Sequence, residues 1–531
     1  MQMLVYFLFI TVAWASPRLD PLVDSKRGLI RGLQATDGDY AMFLGIPYAM
    51  VNYTNPFGPA LPYPYFEEPF EAYDDNAICL QTAQITNEIT GSLDCLHLNI
   101  YVPNSASKNN KLPVLLWIYG GSFQYGNAGR YQYGPKFLVE KDVIFITANY
   151  RVGLYGFMCL NTPEVQGNQG LKDQVKALQW IRENIEDFGG DASKVTLFGS
   201  SAGAVSVDYH ILSKDKLFDK AILQSGTTLR TAAIMEPDNS VPILIAAKLG
   251  FATNDVNKAV EFLIKNEPKL VIAAAFELSI ICKPCVEKDF EGNTFIADYP
   301  INTPIPKDKD IPILIGHNSQ EQLSTYGKLS PSEYDEGIFE KLVSQAFNID
   351  KDLVRIVKQF YIGDEAVSID VKSALTDFDS DFALNHPIRR SMSKFLDNNS
   401  NVYFYVFSYS GGRNYGKWRH NVTGEGAAHS DEKGYLFDMS MMTDIPTPED
   451  QLVIDRMTTM WTNFVKYGDP TPDLTELLPV KWTPLTEDIQ HYLDINSDIT
   501  MKRSPFNKRM AFWDLFYKMN EKFLIGFSGR E

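Results

Sequence analysis

The stretch "VTLFGSSAGAVSVDYHIL", Val195 to Leu212, constrains this chain more than any other. A short apolar run leads into Gly-Ser-Ser-Ala-Gly, and a helical pattern follows at once. Gly-x-Ser-x-Gly in that setting predicts a sharp strand-to-helix turn that lifts one serine hydroxyl clear of a sheet. Register decides which serine. Centred on Ser201 the pattern finds Gly199 and Gly203, whereas centring it on Ser200 would need glycine at Phe198 and Ala202. Ser201 is the predicted nucleophile, and Ser200 its neighbour.

A serine hydroxyl attacks poorly at neutral pH unless a base takes its proton and a carboxylate orients that base. Of the seven histidines, His429 sits in "GEGAAHSDEKGYLF", where small residues leave an imidazole free to face the nucleophile. His97, His210, His317, His386, His420 and His491 lack that setting, and structural or surface roles suit them better. For the acid, Glu321 in "GHNSQEQL" follows the strand-like "IPILIG", at the carboxyl end where sheet enzymes gather their chemistry. The order Ser201, Glu321, His429 is the one found on an α/β-hydrolase sheet. An oxyanion also needs donors, and "WIYGGSFQYG" follows a strand upstream of the nucleophile. The backbone N–H groups of Gly121, Ser122 and Ala202 are the candidates.

Around these motifs, strands and helices alternate. "PVLLWIY", "DVIFITANY", "KVTLF", "KAILQ", "IPILIG" and "NVYFYVFSY" read as buried strands. "GLKDQVKALQWIRENIEDFGG" reads as a helix with Leu171, Val175, Leu178, Ile181 and Ile185 on one face, closed by Gly189-Gly190. Such alternation predicts an α/β fold with a large, mostly parallel central sheet flanked by helices. Residues 236–290 and 332–390 look more helical and are expected to cap the sheet's active end. The 531 residues hold no repeat or linker, so a single catalytic domain over 16–531 is expected.

The N-terminus, "MQMLVYFLFITVAWASPRLD", carries an apolar run followed by Ala13-Trp14-Ala15, the form of a secretory signal cleaved after Ala15. Sequons at Asn52, Asn398 and Asn421 suit an exported glycoprotein, and neither an anchor tail nor a retention signal is recognised. A net charge of −17 argues against nucleic acid as a partner. Export favours disulfides among Cys79, Cys95, Cys159, Cys282 and Cys285, yet an odd count leaves one without an intramolecular partner. Cys79 with Cys95 would close a loop of about 15 residues, worth roughly 3 kcal/mol. "CKPC" could close a small ring; redox and zinc roles lack their usual contexts.

The chain resembles the type-B carboxylesterase/cholinesterase family from "GIPYA" to "RMAFWDLFYKM". The resemblance rests on "DCLHLNIY", "NYRVGLYGF", "GNQGLKDQVKALQWIRENIEDFGGDASKVTLFGSSAG", "AILQSGT" and "MWTNFVKYGDPTP". It implies an α/β-hydrolase fold and ester cleavage through an acyl-serine, without metal or organic cofactor. It carries over Ser201, Glu321 and His429 as triad, Gly121, Ser122 and Ala202 as oxyanion hole, Ser225 as a serine supporting the triad, and a Cys79–Cys95 bridge. The texture is similar to that of secreted insect esterases.

The departures matter too. Ser200 replaces the family's usual Glu or Gln beside the nucleophile, and Ser122 stands where Gly or Ala is usual. Leu93 replaces a Glu whose Arg partner is also missing, a paired loss that can be near neutral. The Cys79–Cys95 segment lacks the tryptophan with which cholinesterases hold quaternary ammonium. The expectation is a secreted esterase acting on small esters of mostly neutral alcohols rather than on choline esters. The competing readings are a catalytically silent binding or adhesion protein of the same fold, and a lipase or amidase.

Overall fold

The computed structural model describes residues 20–526 except 85, 232, 291, 293, 349 and 350; the expected signal at 1–15 lies outside the described residues. Eleven strands form the main sheet. In chain order they are β1 (Leu33–Gln34), β2 (Tyr40–Pro47), β3 (His97–Pro103), β4 (Leu112–Ile118), β5 (Ile144–Ala148) and β6 (Gly190–Ser200). They continue with β7 (Lys220–Gln224), β8 (Ile313–Asn318), β9 (Val402–Phe407), β10 (His491–Ile495) and β11 (Thr500–Arg503). Their spatial order is β11-β10-β9-β8-β7-β6-β4-β5-β3-β2-β1.

Pairing from β5 through β4, β6, β7, β8, β9 to β10 is parallel, and both flanks are antiparallel. The central strands are buried on both faces, which explains why they read as unbroken apolar runs rather than as alternating patterns. The expected strand Lys220–Gln224 and the helix at Ala202–Leu212 form with those bounds.

Helix α1 (Gln169–Asn184) forms where the periodicity predicts, and Gly189 at φ 81° closes the short 3₁₀ turn after it. Its buried face differs from the expected one. Val175 is only half-buried, while Asp173 and Gln174 point inward. Asp173 accepts two bonds from the Arg151 guanidinium, from Nε at 2.8 Å and Nη2 at 2.7 Å. Both residues are at most 1% exposed, so a charge pair, not an aliphatic stripe, anchors the helix to the "NYRVGLYGF" segment. Breaking one half of such a pair would cost about 3–5 kcal/mol.

Both segments expected to be helical are so. Residues 236–290 supply three helices, Ser240–Lys248, Val256–Lys265 and Pro268–Glu277. The second segment supplies Ile338–Val343, Lys351–Ile362, Lys372–Ser380, a π-helical turn at Asp381–Asn385, and His386–Asp397. It has an apolar core of its own, where Leu375, Phe378 and Phe382 pack with Trp513 of the C-terminal helix Asn507–Asn520. The largest cluster surrounds the sheet, and Leu323, Val422 and Ala428 form a small third one.

Two disulfides form. Cys79–Cys95 joins the loop before β3, and Cys159–Cys285 ties residues far apart in sequence. Cys282 is a buried free thiol, so "CKPC" is not a small ring. Burial pushes its pKa up to about 12, leaving a protonated, unreactive thiol.

Candidate active site

Ser201 lies between β6 and helix α2 (Ala202–Leu212) with φ 57° and ψ −125°, a conformation that costs on the order of 1–3 kcal/mol for a residue with a β-carbon. Its flanking glycines explain how the turn closes. A β-carbon on Gly199 would stand 2.3 Å from the Gly203 carbonyl carbon, and one on Gly203 would stand 2.1 Å from the Ile118 carbonyl oxygen. Here backbone passes over backbone with no room for a methyl group. The Ser201 N–H donates to the Gln224 carbonyl at 2.8 Å, which pins the turn to β7.

Glu321 follows the end of β8 and is 1% exposed. One carboxylate oxygen, Oε1, accepts from the Asn318 N–H at 2.7 Å and the Ser225 hydroxyl at 2.6 Å. The other, Oε2, meets His429 Nδ1 at 2.6 Å. Burial alone would raise this carboxyl, but the His429 imidazole and the Ser225 and Asn318 donors outweigh it and hold the pKa below the usual range. The backbone adds a second tie, His429 N–H to the Glu321 carbonyl at 3.0 Å.

The histidine loop is braced from beneath. Asp431 accepts from the backbone of Lys417 and Ala428 and from the Asn414 amide, and Asn318 Nδ2 donates to the Ala428 carbonyl. Gly416 permits the loop's approach, since a β-carbon there would lie 2.1 Å from the His429 carbonyl oxygen.

Ser201, Glu321 and His429 line one cavity of about 460 Å³, with Gly120, Gly121 and Ser122 on its wall. Among the described residues the Ser201 hydroxyl makes no hydrogen bond; catalytic bonds of this kind often tighten only around substrate. Gly121 (φ 125°) and Ser122 (φ 55°) sit in left-handed conformations, and among the described residues their N–H groups donate to no backbone carbonyl. Ala202 is the first residue of α2, whose opening N–H groups have no partner within the helix. Three unused amides thus border the serine, with the positive end of a helix dipole behind one of them.

Ser200 is buried with an unpartnered hydroxyl, and Ser225 sits at φ 53° with its N–H on the Gly316 carbonyl. Leu93, in place of the family's usual Glu, is buried in the apolar core. Several participants carry no signal in the sequence. Asn318 holds Glu321 through its backbone and, through Nδ2, the carboxylate of Glu432 at 2.6 Å. Glu432 is fully buried, and burial and then repulsion from Glu321 raise its pKa. His420 also lines the cavity. So do Arg230, Arg419 and Lys433. Proximity of Glu432 to His429 in "HSDEKG" is the one hint the chain offered. Among the described residues no group of three or more His, Cys, Asp or Glu is placed to hold a metal ion, and no helix is long and apolar enough to cross a membrane.

The carboxylesterase family profile matches residues 19–513. Bile salt-activated lipase of Rattus norvegicus is 31% identical over 534 residues, covering 93% of this chain and 84% of its own. Esterase FE4 of Myzus persicae is 32% identical over 479 residues, covering 83% of each. The crystal structure of juvenile hormone esterase from Manduca sexta, with OTFP covalently attached, superposes with a TM-score of 0.80 at 28% identity. That match covers 94% of this chain and 100% of the other, and the shared architecture is the α/β-hydrolase fold. This chain belongs to the carboxylesterase family and is a carboxylic-ester hydrolase.

Proposed function

We propose that this is an exported serine carboxylesterase, processed after Ala15 and folded as one catalytic domain over residues 16–531. In this reading His429 takes the proton of Ser201 as the hydroxyl oxygen attacks the ester carbonyl. The oxyanion is met by the N–H groups of Gly121, Ser122 and Ala202. His429 then passes the proton to the departing alkoxide, leaving an acyl-serine. A water, deprotonated by the same imidazole, releases the acid and restores Ser201. Glu321 holds the ring's orientation and stabilises its protonated form.

The observation that carries the reading is the Glu321–His429 contact at 2.6 Å within the cavity that Ser201 also lines. The substrates are small carboxylic esters, and we assign their alcohol portion as mostly neutral. Among the described residues Glu321 is the one carboxylate lining the cavity, and it is engaged by His429. The test is covalent labelling by an organophosphate with peptide mapping, together with hydrolysis of short para-nitrophenyl esters. Label on Ser201 and turnover support the proposal. Neither label nor turnover would leave the binding-protein reading in its place.

A further inference from the structure

The charge lining the cavity opposes that of the whole chain. Against a net charge of −17, the cavity presents Arg230, Arg419 and Lys433, and among the described residues its one carboxylate is Glu321. Arg419 is committed to the Tyr415 hydroxyl and Gln84, and Lys433 lies 4.8 Å from the Tyr415 ring centroid. Arg230 is different. It lies a few residues beyond Ser225, its Nε is buried, and that atom has no hydrogen-bond partner among the described residues. No carboxylate of the described residues lies within ion-pairing distance, although Glu321 and Asp379 act on it through space.

Arg230 also lines an adjoining cavity of about 250 Å³, together with Ser122, Ala202, Lys283 and Asp379. Burial lowers the pKa of the Lys283 ammonium there, and repulsion from Arg230 adds to it. Asp379 lines the same cavity without ion-pairing to Arg230; burial raises its carboxyl to about 6, and Tyr326 donates to it. Arg230 as a whole is half-buried, but its buried Nε–H lacks an acceptor among the described residues, a cost that an anionic ligand reaching it would relieve.

The reaction's geometry says which part of an ester reaches this place. The leaving oxygen must lie by His429, which protonates it, and the carbonyl oxygen must lie by Ser122 and Ala202. The side cavity meets the catalytic cavity at Ser122, Arg230 and Gln322; Ala202 lines it and His429 does not, so it opens on the oxyanion side of the serine, away from the leaving group. Resting on the esterase reading above, we propose that the side cavity receives the acyl chain and that Arg230 binds a carboxylate at its far end. The substrate class is then the half-ester of a dicarboxylic acid with a neutral alcohol.

Three esters of matched size test this: mono-para-nitrophenyl adipate, para-nitrophenyl hexanoate, and the hexanoate of para-hydroxybenzoate. The purified protein is expected to give a higher kcat/KM on the adipate than on the neutral hexanoate. Arg230→Gln is expected to lower the adipate-to-hexanoate ratio by roughly 10- to 100-fold, the loss of one charge-assisted hydrogen bond, with Arg230→Lys between. Raised salt should lower the same ratio in the unsubstituted protein. A ratio unmoved by Arg230→Gln overturns the proposal, as does an equal fall on both esters, which would make the arginine merely structural. A preference for the para-hydroxybenzoate ester would put the anion on the alcohol side and overturn it as well. Should Arg230→Gln lower the melting midpoint, the ratio in Arg230→Lys decides. If no ester is cleaved and Ser201 takes no organophosphate, the esterase reading itself has failed and this inference falls with it.

Discussion

Glu321 and His429 are joined twice, by the 2.6 Å side-chain contact and by the 3.0 Å bond from the His429 N–H to the Glu321 carbonyl. The double tie sets ring orientation as well as distance. A carboxylate reached only through its side chain could swing away; here the backbone of the histidine loop is anchored to the residue that bears the acid.

Ser201→Ala should lower kcat on ester substrates by on the order of 10⁴- to 10⁶-fold and abolish organophosphate labelling. Circular dichroism and the melting midpoint should change little or rise slightly, since alanine removes only the hydroxyl. Residual turnover near the starting level would remove Ser201 from its assigned role.

Glu321→Gln should cost about 10⁴-fold in kcat, because an amide presents the imidazole with the wrong donor pattern. Ser225→Ala removes one of the bonds to Oε1 and leaves the Asn318 N–H in place, so a loss of roughly tenfold is expected. Steady-state kinetics on one neutral ester compares the two. Equal losses would mean that Ser225 does more than support Glu321.

His210 reports on stability through pH. It is buried, its Nε2 meets Gln174 Oε1 at 2.9 Å, and burial, with Lys309 adding to it, pushes its pKa down to about 3. The folded ring therefore stays neutral while the unfolded ring protonates below its ordinary value, so its contribution holds above that value and is lost as pH falls. At pH ~5 the loss is about 2 kcal/mol. His210→Gln should thus be more destabilising at pH ~7.5 than at pH ~5 by about that amount, read from urea unfolding at the two pH values. A pH-independent difference would contradict the burial of a neutral ring.

The cysteines make a separate prediction. Peptide mapping without reduction should recover Cys79 with Cys95 and Cys159 with Cys285, and Cys282 should alkylate only after denaturation. Replacing both Cys159 and Cys285 by serine should cost about 3–5 kcal/mol, given the 126-residue separation the bridge closes. Alkylation of Cys285 in the folded protein would show the pairing to be wrong.

Glycosylation should discriminate among the three sequons. Asn421 is exposed, and Asn52 accepts from the Thr54 N–H and hydroxyl through Oδ1, which leaves its nitrogen outward. Asn398 Nδ2 instead donates to the Pro306 and Lys309 carbonyls, and Ser400 is buried. Mass spectrometry of the protein expressed through a eukaryotic secretory pathway should find glycan at Asn52 and Asn421 and not at Asn398.

What could be read from the chain was local or strongly patterned. The strand at Lys220–Gln224 and the helix at Ala202–Leu212 follow from apolar runs and periodicity, and the register of Gly199 and Gly203 selects Ser201 because only glycine escapes those backbone contacts. Tertiary structure alone decided the rest. Periodicity counted Val175 as core, but the charge on Arg151 drew Asp173 inward. Cys159 could be matched with Cys285 only by the path of the chain between them. The bonds from Asn318 to Glu321 and Glu432, and the position of Arg230 between two cavities, depend on where loops from different strands end. Sequence patterns encode which face of an element avoids water; they do not encode which polar groups from distant elements meet in the space that remains, and the choice of ester rests on those meetings.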